Sequence, residues 1–231
     1  MITINFIPDP LIECDFENIY HPSDDSYLLL DYFRKKITDD SFDGIMFEEI
    51  EYLLDMGTGT GIIAIFFQLL NSLKPKFNPK IYGSDILEES LICARRNEIL
   101  NKIKSKIVFF QSDLFKSFPE SLRSKFNIII FNPPYLPSSP LIKESLNKKG
   151  IDHSWDGGYK GIEILIKFFK ELKEFINLNK THYIYFISSS NSNLFELEKQ
   201  IVDLGYRNEQ LDKIHLFFED IILNRLKFVK C

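Results

Sequence analysis

Asp55-Met56-Gly57-Thr58-Gly59-Thr60-Gly61 stands between one apolar run and another, and it constrains this chain more than any other segment. Residues 51–56 read as a strand and residues 62–73 as an apolar helix. Three alternating glycines at a strand-to-helix turn let the backbone approach a ligand closely, and the helix start offers free N–H groups. No Gly-Lys-Ser/Thr follows, so the turn is not a P-loop. It also departs from the dinucleotide pattern G-x-G-x-x-G, because the third glycine comes one residue early and Ile62 follows it. A tight turn with no ligand is the alternative, but three alternating glycines are more than a turn requires.

The rest of the chain alternates in the same way. Residues 23–37 read as a helix, with Ser23 as its cap and Asp24 and Asp25 in the first turn. Residues 38–50 read as a polar connection ending in a short apolar stretch. Strands are predicted at 80–84, 106–110, 126–131 and 183–188, and helices at 87–100, 162–176 and 194–204. Ile128, Ile129 and Ile130 form the uninterrupted apolar run expected of a strand covered on both faces. A long proline-containing loop spans 132–160, and two final strands are expected near 210–218 and 221–229. The expected fold class is α/β: a Rossmann-like, mostly parallel sheet with helices on both faces and an antiparallel hairpin at the C-terminal end.

Composition narrows the function classes. The 231 residues carry 28 Lys+Arg against 33 Asp+Glu, a net charge of −5, which argues against a protein held on nucleic acid by bulk positive charge. With 45% hydrophobic and 26% charged residues the chain is globular rather than disordered. No apolar run reaches about 18 residues, and the N-terminus lacks the pattern of a secretory signal. Cys14, Cys93 and Cys231 form no disulfide framework, which points to a reducing compartment, the cytoplasm. His21, His153, His182 and His215 are scattered, so no metal is expected.

An acid just before the first glycine suits a positively charged ligand better than a pyrophosphate. S-adenosylmethionine, with its sulfonium and ammonium groups, is such a ligand. Asp85 closes the second strand, where a carboxylate can accept two hydrogen bonds from a ribose diol, each worth about 1.5–3 kcal/mol. Asp113, in Ser112-Asp113-Leu114, follows the third strand and could accept from an adenine amino group. Each acid alone would more often cap a helix. Three at successive strand ends fit a ligand outside the carboxyl edge of an open sheet.

Asn132-Pro133-Pro134-Tyr135 follows the strand at 126–131 directly. Neither proline has an N–H, so this rigid turn presents acceptors: carbonyl oxygens and the Asn132 amide. Those acceptors suit a planar –NH2 substrate, and Tyr135 adds a wall on which a planar group can stack. A rigid loop with no ligand is the bland reading.

Together, Asp55–Gly61, Asp85, Asp113 and Asn132–Tyr135 resemble class I S-adenosylmethionine-dependent methyltransferases that act on exocyclic or amide nitrogens. The Asn-Pro-Pro-Tyr motif is shared by DNA adenine, ribosomal RNA guanine and HemK/PrmC-type release-factor glutamine methyltransferases. Tyr20-His21-Pro22-Ser23-Asp24-Asp25-Ser26-Tyr27-Leu28-Leu29-Leu30 and Trp155-Asp156-Gly157-Gly158-Tyr159-Lys160-Gly161 resemble segments of the short archaeal and eukaryotic HemK-like enzymes. His21 stands where Glu is common, and Asp156 where a small residue is common.

The resemblance implies a seven-stranded sheet in a single methyltransferase domain over residues 1–231, with 1–50 as its N-terminal extension. It implies that S-adenosylmethionine is held by Ser26, Asp55, Gly57, Thr58, Gly59, Gly61, Asp85, Ile86, Asp113, Leu114 and Asn132. It further implies that Asn132, Pro133, Pro134 and Tyr135 hold the glutamine of a Gly-Gly-Gln loop in a class I translation release factor. In the usual strand order the strand with Ile107, Val108, Phe109 and Phe110 is an edge; the resemblance implies a small zinc-binding activator subunit, which is expected to dock there, with coverage of these side chains by helices as the alternative. Other readings stay open: a nucleic-acid amino methyltransferase, a protein-lysine methyltransferase, a non-catalytic cofactor-binding assembly subunit, or an N-methyltransferase of small molecules.

Overall fold

Ile128-Ile129-Ile130-Phe131 is the central strand of a seven-stranded sheet, buried on both faces as its uninterrupted apolar run requires. The computed structural model describes residues 7–17, 19–102, 106–137 and 157–229. A short hairpin, β1 (Ser41–Phe42) and β2 (Ile45–Met46), precedes the large sheet. The sheet is built from β3 (Tyr52–Met56), β4 (Lys80–Asp85), β5 (Val108–Gln111), β6 (Ile128–Phe131), β7 (Tyr183–Ser189), β8 (Tyr206–Leu216) and β9 (Glu219–Phe228). Its order is β5-β4-β3-β6-β7-β9-β8. Strands β3 to β7 are parallel, and β9 pairs antiparallel with both β7 and β8.

Helices α1 (Asp24–Lys36), α2 (Ile62–Leu73) and α3 (Glu88–Leu100) cover one face, where Leu29, Phe33, Phe66 and Phe67 are fully buried. Helices α4 (Glu163–Leu172) and α5 (Leu194–Asp203) cover the other, with Phe126, Phe168, Phe169 and Phe186 in its core. Chain order reverses direction across the sheet between β3 and β6, so a crevice opens outside their carboxyl ends. Parallel register sets Met56 beside Phe131. The glycine turn and the Asn132 turn, far apart in sequence, therefore leave neighbouring strands at the same level.

Several local expectations are corrected. Residues 38–50 are not a plain polar connection but the β1–β2 hairpin followed by a 3-10 turn at Phe47–Glu49. Its turn residues Asp43 and Gly44 both take positive φ, 46° and 82°, the Asp-Gly signature of a two-residue hairpin. Ser23 occupies the N-cap position of α1, but its side chain makes no capping hydrogen bond. The C-terminal strands begin earlier than 210 and 221, and α4 ends at Leu172 rather than 176. Trp155 and Asp156 lie outside the described residues, as does most of the proline-containing loop.

The β1–β2 turn is locked to the sheet. Asp43 accepts from Tyr185 Oη at 2.6 Å and pairs with Arg225 of β9 at 2.5 Å. Both charged side chains are nearly buried, 8% and 11% exposed, so their pairing is required rather than optional. Among the described residues no helix is long and apolar enough to cross a membrane.

Candidate active site

The crevice is a cavity of about 550 Å³, inside the range of about 300–1,000 Å³ typical of small-molecule sites. Its wall takes residues from each segment expected to hold the cofactor or the substrate amide: Ser26, Asp55–Gly59, Asp85–Ile86, Asp113–Leu114 and Asn132–Tyr135. Gly61 is the exception. A Cβ there would lie 3.0 Å from Ala94 Cβ, so this glycine serves the contact between α2 and α3 rather than the cavity wall.

The glycine turn owes its shape to backbone conformation and to one buried acid. Gly57, Gly59 and Gly61 all take positive φ, at 63°, 52° and 85°. A Cβ on Gly57 would meet the Phe131 ring at 3.2 Å, whereas one on Gly59 would meet nothing closer than Tyr20 O at 3.9 Å. Gly59 thus leaves backbone open to a ligand. Asp55 is buried, and its Oδ2 accepts from Thr58 Oγ1 at 2.6 Å and from the Ala64 N–H at 3.1 Å. Burial pushes its carboxyl up to about 7, against the opposing pull of those two hydrogen bonds.

Asp85 closes β4 and reaches across to the turn: its Oδ2 accepts from the Gly59 N–H and its Oδ1 from the Leu87 N–H, both at 2.9 Å. Burial raises its carboxyl as well, opposed chiefly by the Leu87 and Gly59 N–H groups. Asp113 sits differently. It pairs with Lys116 at 2.5 Å, and both of its oxygens lie 3.0 Å from Lys167 Nζ of α4. Hydrogen bonding to Lys116 holds its carboxyl below the usual range despite partial burial. Any adenine amino group would therefore share an oxygen that already accepts from lysine. Leu114 takes φ 50°, a strained value for this residue type, at the point where its backbone joins the wall.

Asn132 supplies the sharpest signal. Its Oδ1 is buried and has no hydrogen-bond partner among the described residues, although the residue lies on the cavity wall. A buried acceptor left unpaired costs about 1–3 kcal/mol, so it marks a place prepared for a donor. Tyr135 is held by Asp25: its Oη donates to Asp25 Oδ2 at 3.0 Å, while Tyr20 Oη donates to Oδ1 at 2.8 Å. Burial, and then the Asp25 charge, raise both phenols, so both stay protonated.

Asp25, placed by the sequence in the first turn of a helix and within the Tyr20–Leu30 segment but given no site role, is the hub joining α1 to the Asn132 turn. Leu216, Glu219 and Ile221 of the C-terminal hairpin also line the cavity and were not anticipated. His21 is exposed and off the wall.

The Gly157-Gly158-x-x-Gly161 segment has a plain steric role. A Cβ on Gly157 would sit 2.9 Å from Pro134 O, and one on Gly161 2.6 Å from Tyr135 O. The segment packs directly beneath the Pro-Pro-Tyr backbone, and the Ser192 hydroxyl donates to the same Tyr135 carbonyl at 2.7 Å.

A family described as a methyltransferase domain matches residues 47–215. The chain is 32% identical over 205 residues to the protein N5-glutamine methyltransferase MJ0928 of Methanocaldococcus jannaschii, covering 89% of each protein. It is 27% identical over 177 residues to the methyltransferase HEMK2 of Homo sapiens, covering 76% of this chain and 75% of that one. Among solved structures, the E. cuniculi Mtq2–Trm112 complex, described as responsible for methylating the translation termination factor eRF1, superposes with a TM-score of 0.59. That match covers 91% of this chain and 98% of the other at 20% identity, which makes it a likeness of fold.

Proposed function

The chain belongs to the methyltransferase-domain family, among the HemK-like protein glutamine methyltransferases, and from that premise we propose that it methylates the glutamine of the Gly-Gly-Gln loop in a class I translation release factor. S-adenosylmethionine is the cofactor, and when bound it supplies an electrophilic methyl group on a sulfonium. The residues present fit it. Gly59 leaves backbone uncovered at the cavity, Asp55 and Asp85 give that end acidic character, and an orphaned acceptor waits on Asn132. We assign cofactor binding to Ser26, Asp55, Gly57, Thr58, Gly59, Asp85, Ile86, Asp113, Leu114 and Asn132, with Gly61 acting indirectly through helix packing. The whole chain, 1–231, is read as one catalytic domain acting in the cytoplasm, where release factors work.

An amide nitrogen is a poor nucleophile because its lone pair is delocalised. No Cys or His lines the cavity among the described residues, so this chain offers position and electrostatics rather than a strong base. Asn132 Oδ1 and the Pro133 carbonyl accept the two amide N–H bonds and orient the nitrogen. Pro133 and Pro134 keep the turn rigid and free of competing donors. Tyr135, fixed through Asp25, forms the wall beside the amide plane.

The observation that carries this reading is the buried, partnerless Asn132 Oδ1 in a cavity otherwise suited to the cofactor. The test is transfer of label from S-adenosylmethionine to a release factor carrying Gly-Gly-Gln but not to its Gly-Gly-Ala form. Label in neither, with cofactor binding intact, refutes it and brings nucleic acid forward.

A small zinc-binding activator completes the proposal. β5 is a sheet edge, paired only with β4, and Val108 on it is 50% exposed. An open apolar edge invites strand addition. Ile107 and Phe109 are buried and Phe110 is half-buried, so Val108 is the residue to alter. Val108→Lys should abolish co-purification with the activator; unchanged co-purification would remove β5 from the interface.

A further inference from the structure

Four large apolar side chains among the described residues are more than four-fifths exposed: Tyr159 at 83%, Phe195 at 85%, Phe217 at 92% and Phe218 at 93%. Single exposed aromatics are ordinary, but these four belong to segments joined to one another beside Tyr135. The Asn193 N–H, two residues before Phe195, donates to Lys160 O at 3.0 Å, next to Tyr159. Ser192 donates to Tyr135 O at 2.7 Å, and Ser189 Oγ donates to Glu219 Oε2 at 2.6 Å, next to Phe218. The Ser190 N–H donates to Asp220 O at 2.9 Å, and the Asp220 N–H donates to Ser190 Oγ at 2.8 Å. The aromatics therefore stand on a rim hydrogen-bonded to the substrate turn, and Leu216 and Glu219, which flank the two phenylalanines, line the cavity itself.

The hairpin tip breaks local rules for no gain in folding. Leu216 pairs with Glu219, leaving Phe217-Phe218 as a two-residue loop. Phe217 takes φ 48°, a conformation that such turns reserve for glycine, asparagine or aspartate. A bulky residue strained there and left in water suggests function rather than stability.

We propose that this aromatic rim is the docking surface for the folded body of the protein substrate, outside the loop that enters the cavity. The inference rests on the glutamine-methylation reading and extends it. Asn132 Oδ1 is buried, and a glutamine side chain is only two methylenes and an amide long. A substrate glutamine that reaches this atom brings its own backbone to the cavity mouth and the surrounding protein onto the rim. Exposed aromatics are the residues that most often anchor such contacts. Bases could also stack on them, but the chain carries a net charge of −5. Lys213 and His215, the basic residues nearest the tip on the same hairpin arm, are both held by Asp220, at 2.8 Å each. A protein is therefore the occupant.

The test replaces the tip with residues suited to its turn, whose first residue alone takes positive φ: Phe217→Gly together with Phe218→Asn, in the full chain. A second variant is Phe195→Ser. Binding to a Gly-Gly-Ala release factor should weaken by about tenfold or more in each, with KM for the Gly-Gly-Gln form rising in parallel. The affinity for S-adenosylmethionine and kcat at saturating substrate should stay within about twofold, and the tip variant should melt at or above the wild-type temperature. Undiminished release-factor binding in both variants, by a wild type that does methylate the factor, overturns the rim proposal alone. A wild type that labels nucleic acid and no release factor overturns the methylation reading, and the rim's protein occupant with it.

Discussion

Asn132→Ala separates a residue built for catalysis from one built for stability, because the two roles predict opposite signs. The buried Oδ1 has no partner among the described residues, and such an acceptor destabilises the fold by about 1–3 kcal/mol. Replacement by alanine removes that penalty and loses side-chain contacts worth about 1 kcal/mol. The variant should be neutral to about 2 kcal/mol more stable. At about 2–4 °C per kcal/mol for a chain of this size, its melting temperature should rise by about 0–8 °C. Alanine also suits the extended backbone required before Pro133. Turnover should move the other way. Loss of one preorganised group at the reacting centre lowers the rate by about 10²–10³. The assay pairs a cofactor-free thermal melt with single-turnover labelling of the release factor, so that product release does not mask the chemical step. A melting temperature lower by more than about 4 °C, or a rate within about fivefold of wild type, would refute the reasoning.

Three further outcomes follow from the geometry. Asp55 has its carboxyl raised to about 7 from 3.8 by burial, so it is neutral in the folded protein below that pH. The cofactor-free protein should lose stability as pH rises from about 4 through 7, while affinity for the cationic cofactor increases over the upper part of that window. Asp55→Asn should flatten both profiles, as followed by melts and cofactor titrations between pH 5 and pH 8; persistence of either slope would assign it to another group. Gly161→Ala would place a Cβ 2.6 Å from Tyr135 O at φ 71°, shifting the substrate turn. Its kcat should fall by about 10- to 100-fold with cofactor affinity retained, as read by steady-state kinetics beside calorimetry. Arg225→Met strands the buried Asp43 carboxylate and should cost about 3–5 kcal/mol, or about 6–20 °C of melting temperature, most of it recovered in the double variant with Asp43→Asn.

Much of this molecule is written in local sequence. The isoleucine run at 128–130, the glycine turn at 57–61 and the rigid turn at 132–135 each dictate their conformation from within a few residues. Apolar patterning, positive-φ tolerance and missing N–H groups act at that range. The Asp43-Gly44 turn, set between Phe42 and Ile45, is equally local and was overlooked because its two strands are only two residues each.

Tertiary structure alone decided which distant groups meet. Asp43 and Arg225 are 182 residues apart, and nothing near either residue names the other. Asp113 looked like a free acceptor until α4 brought Lys167 onto both of its oxygens. The glycines at 157, 158 and 161 stand out in the sequence only through a resemblance. Their steric purpose appears only where the segment passes beneath Pro134 and Tyr135. Asn132 could be recognised as an acceptor from its place before two prolines, but that its oxygen is buried and unpaired depends on every surface that encloses it. Backbone preference is a property of a residue and its neighbours; burial, pairing and orphaned polarity belong to the packed whole.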